Sequence, residues 1–318
     1  MNVLPGPGSS GRTVTRLCIL ALASAVLAVP AGCGGHVADN GGRMKVAATI
    51  VPLADFCRQV GGDLVEVRTL IPPGASAHSY EPTASEFKFL GGARVFVMNG
   101  LGLEEWASGV IRKAGPGSMV VVVTADAVPK AELLRAGAFG GEKGSGREYD
   151  PHIWLDPNIA AFQVGAIRDG FIEADPAHRE RYTANASRFI RELEALDREI
   201  RDATAGFTRR SFVALHPGWA YFSRRYGIEQ AAAVQEVPEQ EPSGRRIERV
   251  VEEIKAKGIK VIFAEPQASA RAAQVIASSI PGVRVFYLDP LGDPGNPEVD
   301  TYLETMRHNL RVMKEVLR

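Results

Sequence analysis

Short apolar runs alternate with amphipathic stretches along most of this chain. The runs "KVAATIVPL" from Lys45, "VEVRTLI" (65–71), "ARVFVMNG" (93–100) and "SMVVVVTA" (118–125) are four to six apolar residues long and read as strands. Helical stretches such as "ADFCRQVGG" and "TASEFKFLGG" separate them. Runs of this kind, bounded by helices, predict parallel βα units with strands covered on both faces. A second series follows, with strands at "SFVALH" (211–216), "QAAAVQ" (230–235), "IKVIFAE" (259–265) and "VRVFYLD" (283–289). Its helices are "GWAYFSRRYG", "SGRRIERVVEEIKAKG", "ASARAAQVIASSI" and "VDTYLETMRHNLRVMKEVL". Between the two series, the stretch from Pro176 to about Ala205 holds neither Gly nor Pro. Tyr182, Ala186, Phe189, Leu193, Leu196 and Ile200 recur there at spacings of three and four. That is one face of a continuous helix, with Asp175 as its expected N-cap and Pro176 as its first residue. At ~1.5 Å per residue it would run roughly 45 Å, long enough to join two lobes. The fold class expected is α/β: two lobes with mostly parallel sheets, joined by one long rigid helix, with the ligand site in the cleft. The boundaries are 44–174 for the first lobe, 175–206 for the connecting helix and 207–318 for the second.

The N-terminal region differs from the rest. Arg12 and Arg16 precede "LCILALASAVLAV", an apolar run of 13 residues, short for a membrane span and suited to an export signal. It ends in "VPAGC", similar to a bacterial lipobox, with Pro30 where Leu is usual. Residues 1–33 therefore read as a signal peptide with Cys33 as the lipid-bearing residue, and 34–43 as a flexible tether. The chain is expected to be exported to the periplasm or the outer face of the cytoplasmic membrane, anchored there by lipid. Of the three cysteines, Cys18 leaves with the signal and Cys33 takes the lipid. Cys57 is left without a disulfide partner and should pack as a small apolar residue. With 37 basic and 37 acidic residues, nothing in the charge balance recommends a nucleic-acid partner.

In open parallel α/β sheets, ligands bind beyond the carboxyl ends of the strands. Reactive side chains cluster at such positions: His78 in "PPGASAHSYEPT", His152 in "DPHIWLDP", His216 ending "SFVALH", Glu265 ending "IKVIFAE" and Asp289 ending "VRVFYLD". Pro adjoins four of the five, fixing the backbone that aims each side chain. A lone histidine at a strand end is more often structural than a ligand. Here both halves contribute, which places the group in the cleft. His178 and His308 lie among charged residues on helices and read as solvated.

Six stretches taken in order, "IPPGASAHSYEPTASE", "DPHIWLDP", "ALHPGWAYFSRRYG", "PEQEPS", "VIFAEPQ" and "FYLDPLG", resemble the metal-binding solute-binding proteins of bacterial zinc and manganese ABC importers. The resemblance runs from about Lys45 to the C-terminus. It implies metal ligands at His78, His152, His216 and Asp289, with Glu265 supporting them, paired with Arg271. Asp150 or Asp156 would accept a hydrogen bond from an imidazole N–H and fix its tautomer. It further implies a monomer that serves a membrane permease and its ATPase, and no enzyme activity. Three imidazoles and a carboxylate suit Zn²⁺, with Mn²⁺ as the alternative cargo. Within the family a histidine at the position of His216 leans to zinc. Residues 136–149 depart from many zinc-type relatives in containing no histidine. The rival readings are a zinc hydrolase and a metal-dependent adhesin. No "HExxH" helix supports the former.

Overall fold

The computed structural model describes residues 42–107, 109, 119–138, 146–235 and 240–318. The expected signal peptide, Cys33, nearly all of the tether and the middle of the Gly-rich loop lie outside the described residues. The first lobe is built from β1 (Met44–Ala48), α1 (Val51–Gly61), β2 (Val65–Thr69), α2 (Ala84–Gly91), β3 (Val95–Met98) and β4 (Val120–Val123). Its sheet is parallel throughout, in the order β2-β1-β3-β4. The second lobe comprises β5 (Ser211–Ala214), α5 (Ala220–Tyr226), β6 (Glu229–Ala233), α6 (Gly244–Lys257), β7 (Val261–Ala264), α7 (Arg271–Ser279), β8 (Arg284–Tyr287) and α8 (Tyr302–Leu317). Its order, β6-β5-β7-β8, is also parallel and repeats that of the first sheet. In each sheet the first strand lies inside and the second at the edge. The chain therefore reverses direction across each sheet, where strand-end side chains have room to converge.

Between the lobes run α3 (Pro157–Ala174) and α4 (Arg179–Ala205). Asp156 caps α3, its Oδ1 accepting from the Asn158 amide at 2.9 Å, and Pro157 supplies the preset φ of the first turn. Gly170 lets α3 lie close to β4: a Cβ there would stand 2.3 Å from Val122 Cγ2. The α4 helix buries the face expected from spacing, with Tyr182, Ala186, Phe189, Leu193, Leu196 and Ile200 all fully buried. Its start differs from expectation. Pro176–His178 form a 3-10 turn, and the Asp175 carboxylate accepts from His178 Nδ1 (2.7 Å) and Tyr182 Oη (2.8 Å) instead of capping backbone amides. The side-chain partners capture the carboxylate that a free N-terminus would otherwise use.

One apolar cluster runs from β1, α1 and α3 through α4 into β5, α5 and α8, so the lobes share a core. Cys57 is fully buried within it, and burial pushes its thiol pKa up, as expected of a packing residue. Polar ties cross at the same level. Trp154 Nε1 donates to the Pro290 carbonyl (2.7 Å), Tyr302 Oη to the Trp154 carbonyl (2.7 Å), and the Tyr302 amide to Asp55 Oδ2 (2.9 Å).

Candidate metal centre

Each histidine reaches the site from a loop that follows a strand. His78 comes from the segment between β2 and α2, where its amide donates to Ser76 Oγ at 3.3 Å. His216 follows β5 directly. His152 follows β4 across the Gly-rich loop, and its surroundings are the most tightly built. Asp150 Oδ1 accepts from both the His152 amide and ring Nδ1, each at 2.8 Å. Asn99 Nδ2 donates to the Pro151 carbonyl (2.9 Å), and Gln163 Nε2 donates to Asn99 Oδ1 (3.1 Å). The buried Glu104 carboxylate accepts from Thr49 Oγ1 and from the amides of Asn99 and Gly100. From the second lobe, Tyr221 Oη donates to the Asp150 carbonyl at 2.9 Å. The "DPHIWLDP" segment is thus held from both sides.

With Nδ1–H given to Asp150, His152 presents an unprotonated Nε2 to the cavity. The Nε2 atoms of His78 and His216 lie 3.1 and 3.0 Å from it, and the three rings' ligand atoms all fall within 4.8 Å of one another. A tetrahedral zinc ion with Zn–N of about 2.0–2.1 Å sets its nitrogens about 3.3 Å apart. The observed spacing is close to that. Gly218 makes the approach possible, since a Cβ there would meet His152 Cδ2 at 3.3 Å and His216 Cδ2 at 3.4 Å. Burial holds His78 and His216 well below the usual imidazole pKa. The charge of neighbouring imidazoles and of Arg147 works in the same direction. Both rings are therefore neutral at pH 7, the form that coordinates.

No carboxylate belongs to the tight imidazole group among the described residues. Asp289 is buried, its Oδ1 accepting from Nε2 of Gln267, which lines the cavity with the histidines (2.8 Å), and from the amides of Leu291 (3.0 Å) and Gly292 (2.9 Å). Its Oδ2 accepts no hydrogen bond among the described residues. Glu265 lines the cavity together with the three histidines, and its Oε1 is buried without a partner. Burial raises its pKa to about 8. The nearby Asp289 charge adds to the rise, while His152 and a hydrogen bond from the Trp219 side chain oppose it. The expected Glu265–Arg271 pair does not form: Arg271 is exposed at the start of α7, and no ion pair joins the two among the described residues. Asp156 likewise serves no imidazole. It is committed to the cap of α3 and faces Arg225 at 3.9 Å, so Asp150 alone takes the tautomer-fixing role. Asn99, Glu104, Gln163 and Gly218 were not readable as part of the site. For Asn99, Glu104 and Gly218 the only signal was a place at or near a strand end, and Gln163, inside α3, carried none.

The family model described as ZnuA, zinc-uptake complex component A periplasmic, matches residues 46–316. The high-affinity zinc uptake system protein ZnuA of Bacillus subtilis is 28% identical over 319 residues, covering 97% of each chain. The zinc-binding protein AdcA of Streptococcus pyogenes is 30% identical over 292 residues, which are 86% of this chain and 56% of that longer protein. The solved structure of the periplasmic zinc-binding protein TroA of Treponema pallidum superposes with a TM-score of 0.78 at 26% identity, over 87% of this chain and 99% of that one. With its paired parallel sheets, its connecting helix and this match over nearly all the described residues, the chain belongs to the ZnuA family of zinc-uptake binding proteins.

Proposed function

We propose that the protein captures a divalent transition metal, Zn²⁺ above all, between its lobes and hands it to an ABC permease driven by its ATPase. The spacing of the three Nε2 atoms carries this reading, because only a small ion asks three neutral imidazoles to meet at a point. In it, His78, His152 and His216 bind the ion and Asp289 Oδ2 supplies the fourth donor. Four protein donors close the coordination shell and leave no position for a reactive water, so the cargo is carried rather than used for chemistry. The deciding experiment is a chelator-competition titration of the purified protein. One zinc ion per chain is expected, with at least ~100-fold weaker binding for His152→Ala at an unchanged far-UV circular dichroism spectrum. Stoichiometric, tight binding that survives in His152→Ala would sink the assignment. We further propose that the protein acts as a lipid-anchored monomer, Cys33 bearing the lipid. Cys33→Ser should then move from the membrane fraction to the soluble one.

A further inference from the structure

One face of α8 meets both the His152 segment and the Asp289 turn. Asp289 stands two residues past the end of β8, outside the sheet's ladder, so its backbone groups need other partners. Asn309 supplies both: the Asp289 amide donates to Asn309 Oδ1 (2.8 Å), and Asn309 Nδ2 donates to the Asp289 carbonyl (2.6 Å). About two turns earlier on the same helix, Tyr302 Oη donates to the Trp154 carbonyl at 2.7 Å. The Trp154 indole completes the circuit, its Nε1 donating to the Pro290 carbonyl at 2.7 Å. The start of α8 is pinned to the first lobe, where Asp55 Oδ2 accepts from the Tyr302 amide at 2.9 Å. Asp55, Trp154, Asp289, Tyr302 and Asn309 are all buried.

A helix rises by a fixed ~1.5 Å per residue, so the two grips of α8 are held roughly 10 Å apart along its axis. The segments they hold come from different lobes. The Asp289 carboxylate is oriented as well, because its Oδ1 is taken by Gln267 Nε2 and the amides of Leu291 and Gly292. Resting on the reading of Asp289 as the fourth zinc donor, we propose that α8 is the gauge of the metal site. Asn309 fixes the backbone from which Asp289 Oδ2 reaches the ion, and Tyr302, through the Trp154 carbonyl, fixes the His152 segment against it. Both are positioning residues that act on the ion only through others. Donors placed beforehand spare the ion the entropy of ordering them.

The test is a double-mutant cycle in zinc affinity, measured by chelator competition, with the denaturant midpoint of each metal-free variant recorded alongside. Asn309→Ala should weaken zinc by at least ~10-fold, and Tyr302→Phe, which keeps the ring and loses the Oη–H, by ~3-fold or more. In an Asp289→Asn background the gauge has lost the donor it aims, and each change should cost less than ~2-fold. Tyr302→Phe carries the cycle should Asn309→Ala not fold. A merely structural role predicts the same loss in both backgrounds, in step with a lowered midpoint, and that result would overturn the inference. So would full zinc affinity in Tyr302→Phe and Asn309→Ala. An Asp289→Asn variant that binds zinc as tightly as wild type overturns it and leaves the histidine reading intact. Wild type that binds no zinc overturns both.

Discussion

At the scale of single residues, the cavity displaces its histidines and its acid in opposite directions. An imidazole of ordinary pKa would begin to lose metal to protons below about pH 6.5. In His78 and His216 burial depresses that value, so the neutral, coordinating form persists as pH falls through 6.5. Protons compete with the metal at these two rings only once pH reaches their lowered values. Glu265 is displaced the other way, to about 8. In the metal-free protein it is protonated below that pH. Zinc affinity should therefore change little between pH 7.5 and 6. Chelator competition across this range would show it, and a zinc affinity that collapses at pH 6.5 would contradict it. The three histidines were legible because each ends or follows an apolar run beside a proline or a tight loop. The division of labour among the acids was not. The sequence reading set Asp289 on the metal and Glu265 behind it, and left Asp150 and Asp156 as alternatives for one role. Their roles are decided by partners 22 residues away along the chain in the case of Gln267–Asp289, and by a helix cap in the case of Asp156.

At the scale of elements, the eight strands among the described residues and the buried stripe of α4 could be read directly, since each is a local pattern that its own residues impose. Strand order could not, because pairing is a long-range choice. Nor could the crossing ties: Trp154 with Pro290 and Tyr302 with Trp154 join positions 136 and 148 residues apart. Gly170 illustrates a signal visible in sequence but without meaning until the packing is known. In the middle of α3 it lowers helix propensity, yet its missing Cβ is what brings the helix onto β4. Gly170→Ala should gain helix propensity and still destabilise the protein, by roughly 1–3 kcal/mol from overpacking against Val122. Denaturant unfolding would measure it, and a more stable variant would show that the α3–β4 contact yields easily.

At the scale of the whole molecule, α4 and the segment around His152 oppose large hinge motion. Asp197 on α4 receives a two-point hydrogen bond from Arg225 of α5, at 2.9 Å from both Nε and Nη2, and a third bond from Tyr226 Oη at 3.1 Å. Burial alone would raise the Asp197 pKa, but the hydrogen bonds from Arg225 and Arg201 outweigh it and hold the carboxylate below its usual range. The second lobe is thus fastened to the connecting helix by charge as well as by packing. Metal uptake should proceed by small adjustments of the ligand-bearing loops, with the radius of gyration from small-angle scattering nearly equal with and without zinc. A marked contraction on binding would instead place the protein among hinge-closing receptors.

The common interior described above has a further outcome for how this protein fails. With α1, α3, α4 and α8 packed into one continuous apolar body, each half loses its largest apolar cluster once the other comes apart, and keeps only the smaller one on the far face of its own sheet. Thermal damage to one lobe should therefore loosen the donors that the other lobe presents.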